Sequence, residues 1–439
     1  MNVGLVTLGC SKNQVDSEMI LGLLKNKYKF NIVNDPSICD IIIINTCGFI
    51  ASAKEEAINT ILEMANYKKN RCKYLIVMGC LVQRYKEDLE KAIPEVDLWI
   101  KYNEYNTIWE QIENVIAPLD KSNNYNCPEE LNFLDRVVST GKNYAYLRIA
   151  EGCSNHCTYC AIPSIRGPFV SRKLEDILEE AKKLADNGIK EIIVIAQDTT
   201  KYGIDIYGKP MLAILLEELC KIEKIKWIRF LYAYPETITD ELIQTVKNND
   251  KICKYFDIPI QHISNSVLKR MNRKSNGESI RNLLAKIRKE IPSVILRTTV
   301  IVGFPGETKE DFEELYNFIK DVKFDRLGAF SYSKEEGTPA SRLPDQIHPM
   351  TKKSRYNKIM KLQQEIAAEK LKSQVGKELE VLIETKTFDS KYYAGRSYMD
   401  VPDIDGLIYI KNENKEDLEN QFIKCKITDV KGYDLIAQI

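Results

Sequence analysis

The chain has 439 residues, enough for about three domains with cores of their own. Lys plus Arg and Asp plus Glu both number 63, so the chain as a whole lacks the basic footprint of many nucleic-acid binders. The first nine residues do not read as an export signal and no run approaches the length of a membrane-spanning helix. The 12 Cys are therefore expected to be metal ligands and buried thiols of a cytoplasmic protein rather than a disulfide framework.

Residues 1–117 alternate short apolar runs, at 3–7, 40–45 and 74–78, with amphipathic stretches at 15–24, 53–65 and after Val82. Such βα alternation predicts a small doubly wound parallel sheet. Cys10, Cys47 and Cys80 each follow one of the three runs, so the loops that carry them should meet at one sheet edge. Each has a glycine beside it (Gly9, Gly48, Gly79), which lets backbone approach a bulky inorganic group. Taken singly, each is a buried core thiol. Three at equivalent strand ends point to ligands of a [4Fe-4S] cluster with one iron left open. Cys39 and Cys72 precede strands, at the opposite edge, and are expected to be structural.

Residues 118–138 read as a linker, and 139–370 as a second domain. It opens on the strand-like run 144–149, followed by Cys153-Ser154-Asn155-His156-Cys157-Thr158-Tyr159-Cys160. Three thiolates on one short loop can hold three irons of a [4Fe-4S] cluster and leave the fourth open to substrate. The alternative is zinc with His156 as fourth ligand. Structural zinc usually draws ligands from two separated pairs, and here all candidates crowd one turn. Six βα units can be counted, with strands at 144–149, 191–196, 227–232, 255–259, 295–302 and 326–331. They predict an open (β/α)6 partial barrel with its chemistry at the carboxyl ends of the strands. Gln197 and Asp198, Gln261 and His262, and the Gly303-Phe304-Pro305-Gly306 turn sit at such ends. His262 reads equally well as a structural histidine. Thr308-x-x-Asp311 after the turn is a capping box, and Gly303 is expected to let backbone approach a cofactor. Cys220 and Cys253 are expected in the core. No acid–base residue stands out.

From 371 to 439 short β-rich runs separated by turn residues predict a small five-stranded OB-like barrel. From residue 372 onward there are ten Lys and Arg against thirteen Asp and Glu. An acidic barrel repels phosphates and favours a basic protein partner over nucleic acid.

Three dispersed N-terminal cysteines, a C-x3-C-x2-C loop and a small terminal barrel together resemble the methylthiotransferases, which are radical S-adenosylmethionine (SAM) enzymes whose last domain is called TRAM. The resemblance spans essentially the whole chain. Leu8-Gly9-Cys10-Ser11-Lys12-Asn13-Gln14-Val15-Asp16-Ser17-Glu18, Pro259-Ile260-Gln261-His262 and Asp400-Val401-Pro402-Asp403-Ile404-Asp405-Gly406 look like the RimO branch. Ser11 stands where many of that branch have Pro, and Val401 where Ala is usual.

The resemblance implies addition of a methylthio group to the β-carbon of an aspartate in the small-subunit ribosomal protein of the decoding centre. Two [4Fe-4S] clusters and SAM would serve, SAM as both methyl donor and radical source. Cys153, Cys157 and Cys160 would hold the SAM-cleaving cluster, with Tyr159 against the adenine and Gln197 near the methionyl end. Cys10, Cys47 and Cys80 would hold the cluster that presents sulfur. A flavodoxin or ferredoxin is the expected electron donor, and the acidic TRAM domain the expected dock for the ribosomal protein. Three rivals remain open: a tRNA methylthiotransferase of the same family, a plain radical SAM methylase and a non-catalytic iron–sulfur carrier.

Overall fold

A computed structural model describes residues 1–28, 30–116, 133–388, 391–411 and 417–439; most of the expected linker lies outside these. The first sheet is wholly parallel and contains β1 (Asn2–Thr7), β2 (Asn31–Ile32), β3 (Ile41–Thr46), β4 (Tyr74–Gly79) and β5 (Leu98–Lys101), in the order β2-β1-β3-β4-β5. Strand alternation divides its core. Ile41 and Ile43 join Ile20, Leu24 and Ile112 on one face, while Ile42 and Ile44 join Ala57, Ile61 and Leu89 on the other. Helices Ser11–Tyr28 and Ile108–Ile116 therefore cover one side and Ala51–Ala65 and Cys80–Ala92 the other, as double winding requires. β2 and β5 were not expected: they have two and four residues, too short for a periodic signal.

The middle of the chain supplies β6 (Tyr144–Arg148), the hairpin pair β7 (Ala150–Glu151) and β8 (Val170–Ser171), β9 (Glu191–Ile195), β10 (Trp227–Phe230), β11 (Tyr255–Asp257), β12 (Ile295–Val302) and β13 (Arg326–Ser331). Its six main strands are parallel and lie in chain order as two three-stranded segments, β6-β9-β10 and β11-β12-β13. The segments are joined by an isolated pairing of Ile228 with Ile252 and by Ala233 N–H donating to Asp257 O at 2.9 Å. β10 ends earlier than its apolar run does, because Tyr232 adopts left-handed backbone (φ 62°); β11 stops at Asp257, two residues short of the end of its run. Ala145, Leu147, Ile192, Val194, Ile228 and Phe256 belong to one core with the surrounding helices.

Helix Pro349–Lys372 leads to the last unit. There β14 (Glu378–Lys386), β15 (Tyr392–Arg396), β16 (Ile408–Lys411), β17 (Phe422–Lys431) and β18 (Asp434–Gln438) close in the order β14-β15-β16-β18-β17. A parallel β16–β18 pair sits among antiparallel neighbours. Glu191 anchors this barrel to the β6-β9-β10 segment, taking Arg229 Nε at 2.8 Å and Arg396 Nη2 at 2.8 Å, with all three side chains 0% exposed. The acids of the 400–405 turn dock beside it. Tyr144 donates to Asp403 at 2.9 Å, Tyr255 to Asp405 at 2.7 Å and Arg326 to Asp400 at 2.7 Å.

Burial alone would raise the Glu191 carboxyl, but Arg396 and Arg229 more than offset it and hold it below its ordinary 4.5. Its stabilising share is whole at neutral pH and drains away as pH falls below 4.5 toward the lowered value. Glu191→Gln is expected to cost about 3–5 kcal/mol at pH 7, because it takes the carboxylate from buried Arg229 and leaves Arg396 with Glu384 alone. Denaturant titration of wild type and variant should show that gap narrowing in acid.

Candidate functional site

Cys10 follows β1, Cys47 follows β3 and Cys80 follows β4, so the three loops meet at the carboxyl edge of the first sheet. Cys10 immediately precedes helix Ser11–Tyr28 and accepts from Gln14 N–H at 3.1 Å, while Cys80 is the first residue of its own helix. Helix amino ends favour thiolate and anionic groups. Asn13 ties the edge together. Its Nδ2 donates to Leu8 O at 2.9 Å and Thr46 O at 3.1 Å, and its Oδ1 faces Cys80 Sγ at 3.7 Å and Cys10 Sγ at 3.9 Å. Gly9 has φ 96°, and a Cβ there would fall 2.8 Å from Cys47 Cβ. The glycine is thus required for Cys47 to come near.

The second set of thiols lies on the loop after β7. Gly152 (φ 71°) opens it where a Cβ would strike Pro168 O at 1.9 Å. Cys153 N–H donates to Gly167 O at 3.1 Å, Cys160 N–H to Cys157 O at 3.0 Å, and Cys157 Sγ lies 2.9 Å from Tyr234 Oη. Burial pushes the Cys80 and Cys160 thiols up to about 12. Both carry their protons at neutral pH until a metal displaces them. Among the described residues no three His, Cys, Asp or Glu side chains converge as a single metal ion would need. Three thiols spread around each of two loop clusters suit a body of several irons, which takes one thiolate per iron.

The two sets adjoin. Cys80 packs against Ala161 and Ile165, directly after Cys160. Arg166 completes the contact: its Nη2 donates to Asn13 Oδ1 at 2.6 Å and Asp16 Oδ2 at 2.8 Å, and its Nη1 to Glu151 Oε2 at 3.0 Å. Arg148 bonds the same two acids, Asp16 and, at 2.9 Å, Glu151. Burial would raise the Glu151 carboxyl, yet Arg166 and Arg148 bring it down to about 2. Asn13, Asp16, Arg148, Glu151, Arg166 and Tyr234 were not singled out from sequence; only Asn13 and Asp16 fell inside a quoted motif.

Gln197 donates to Glu151 Oε1 at 2.6 Å, leaving its buried Oε1 without a partner. Tyr159 stands edge-on to Phe304 with centroids 6.5 Å apart, in a small apolar cluster with Met271 and Tyr332. At Gly303 (φ 71°) the close neighbour is Lys352, whose Cγ would lie 2.4 Å from an added Cβ. Asp198 is buried and accepts from Asn155 at 2.9 Å and Thr200 at 2.7 Å, bracing the cysteine loop. His262 is also buried, its Nδ1 accepting from Ser264 N–H at 3.0 Å. That favours the structural reading. Cys39, Cys72 and Cys253 are buried and Cys220 half-buried, all apart from these loops. A cavity of about 610 Å³ opens beside the first set, lined by Cys10 and Gln14, by Tyr146 and Tyr232 of the middle unit, and by Asp403 and Ile404 of the last.

Residues 2–101 match Uncharacterized protein family UPF0004, 147–319 the Radical SAM superfamily and 375–439 the TRAM domain. Over 439 residues the chain is 63% identical to the ribosomal protein uS12 methylthiotransferase RimO of Alkaliphilus oremlandii (strain OhILAs), covering 100% of this chain and 99% of that protein. The chain belongs to the RimO family. A Clostridium perfringens RimO is 54% identical over 441 residues, covering 100% of this chain and 98% of its own. Among solved structures, the radical SAM methyltransferase TsrM of Kitasatospora setae matches with a TM-score of 0.57 at 13% identity, over 77% of this chain and 76% of that one. That likeness supports the fold alone.

In this RimO-family chain Arg166→Met is expected to leave Asp16 (2% exposed) and Glu151 sharing a single arginine, Arg148, and to cost about 3–5 kcal/mol at the junction of the two thiol sets. Hydrogen exchange should quicken in helix Ser11–Tyr28. Arg166→Lys keeps the charge but loses the fork that spans both acids, so it should fall between.

Proposed function

We propose that the protein adds a methylthio group to the β-carbon of an aspartate in ribosomal protein uS12, as a radical SAM enzyme that holds two [4Fe-4S] clusters. The observation that carries this reading is the packing of Cys80 against Ala161, which sets two three-thiol loops side by side. Full-length relatives named as uS12 methylthiotransferases support the substrate. The donor chemistry fits: Cys153, Cys157 and Cys160 would hold one cluster, and Cys10, Cys47 and Cys80 the other. When bound, the clusters and SAM supply a carbon-centred radical able to take hydrogen from an unactivated carbon, and a methylated sulfur for that carbon to receive.

The chain's own residues bind and orient. Glu151 fixes the amide of Gln197 so that its unpartnered oxygen is available to the amino group of SAM. Tyr159, walled by Phe304, offers a ring face to the adenine, and Gly303 completes that side. Tyr234 and Asp198, through Asn155, hold the cysteine loop in place. The cavity shared by the three units admits the target side chain and keeps bulk water from the reacting carbon. We further assign 1–117 to a cluster-binding domain, 118–138 to a linker, 139–370 to the radical SAM core and 371–439 to TRAM.

TRAM would receive the basic ribosomal protein. Three of its thirteen acids, Asp400, Asp403 and Asp405, are already tied to Arg326, Tyr144 and Tyr255, which leaves ten acids beside ten Lys and Arg to meet it. No described helix is long and apolar enough to cross a membrane, and a cytoplasmic site with a flavodoxin or ferredoxin as reductant suits the reaction.

Mass spectrometry of uS12 co-expressed with the protein tests the reading. A methylthio increment on one aspartate is expected; unmodified uS12 beside modified tRNA would overturn it. Replacing Cys10, Cys47 and Cys80 together by Ala should halve the bound iron and abolish thiomethylation while SAM cleavage persists. Replacing Cys153, Cys157 and Cys160 should abolish both activities.

A further inference from the structure

Lys12 is a largely buried cation that no anion of the described residues meets. It lies two residues after Cys10 in the first turn of helix Ser11–Tyr28 and is 6% exposed. Its Nζ sits 3.0 Å from the centroid of the Tyr232 ring and makes no hydrogen bond or ion pair with any described residue. Every other strongly buried cation near the site has a carboxylate: Arg136 has Glu18 and Glu180, Arg148 and Arg166 share Asp16 and Glu151. A ring face returns only part of what it costs to take an ammonium out of water, so a lone one is an expense the fold does not relieve by itself.

Tyr232, which supplies that ring, is itself held in an unfavourable conformation. Its φ is 62°, and it is kept there by its N–H donating to Asp257 Oδ2 at 3.0 Å and its carbonyl accepting from Thr199 N–H at 3.2 Å. Strained non-glycine backbone of this kind persists where the surroundings over-determine it, and it clusters at functional sites. Tyr232 also lines the cavity that reaches Cys10, and Tyr234, two residues on, touches Cys157. Lys12 is not itself a lining residue of that cavity, but the Tyr232 ring it packs against is, as are its sequence neighbours Cys10 and Ser11.

We propose that Lys12 receives the side-chain carboxylate of the substrate aspartate. This rests on the thiomethylation reading above. The carboxylate is bonded to the very carbon that gains sulfur, so it must come to rest beside the Cys10, Cys47 and Cys80 set, where Lys12 is. The carboxylate of the SAM that serves as radical source belongs with the Cys153 loop. A fixed ammonium in a desolvated pocket also separates aspartate from asparagine, since a neutral amide leaves the charge unpaired.

The test uses anaerobically reconstituted protein: wild type, Lys12→Gln and, as a second side chain of similar reach, Lys12→Met. Each is titrated with uS12, with uS12 carrying Asn at the target aspartate, and with SAM. We expect both variants to bind the aspartate form roughly ten- to hundred-fold more weakly than wild type does. The asparagine form should bind all three proteins alike, with affinity for SAM unchanged. An equal loss toward both uS12 forms, no loss, or a loss confined to SAM overturns the inference. Wild-type protein that leaves uS12 unmodified overturns the parent reading and this one with it. Modified uS12 with no Lys12 dependence overturns this one alone.

Discussion

The alternating ion lattice of Asp16, Arg148, Glu151 and Arg166 is the contact on which the site depends. Two acids and two arginines, one acid from the first sheet's helix and the rest from the middle unit, neutralise one another where neither unit could bury its own charges. Such a lattice adds little net stability over an apolar contact, but it is intolerant of displacement, because moving any member strands the others. Arg166 extends it to Asn13, which faces Cys10 and Cys80, and Glu151 extends it to Gln197. A shift of one unit against the other would therefore be felt at both thiol sets.

The last barrel is attached on the same plan. Glu191, between Arg229 and Arg396, opens β9 at the amino end of the strand, and the 400–405 turn is pinned by Tyr144, Tyr255 and Arg326. The turn's outer residues, Asp403 and Ile404, line the rim of the cavity that Cys10 opens onto. Three units thus contribute to one opening, and the middle one touches both others through buried charge.

The cysteine sets were legible because a parallel sheet gathers its loops at one edge, and apolar runs of five or six residues mark where those loops begin. Double winding and the closed terminal barrel followed from the same periodicity. The ion lattice was not legible: Asp16, Arg148, Glu151 and Arg166 are charged residues in unremarkable settings, and only tertiary packing tells a buried one from a solvated one. β2 and β5 escaped because they are too short to show alternation. The early end of β10 escaped because Tyr232 takes left-handed backbone that its residue type does not advertise. Gly303 illustrates a different limit. Its need for a small residue was visible, but the neighbour that imposes it, Lys352, was not.

The central claim is that the two thiol sets form one site rather than two separate ones. Electron paramagnetic resonance of the reduced, fully loaded protein tests it most directly, since two paramagnetic clusters in neighbouring loops perturb each other's spectra. The account predicts a wild-type spectrum that differs from the sum of those recorded from the two triple-alanine variants, each with a single cluster. A wild-type spectrum equal to that sum would contradict it.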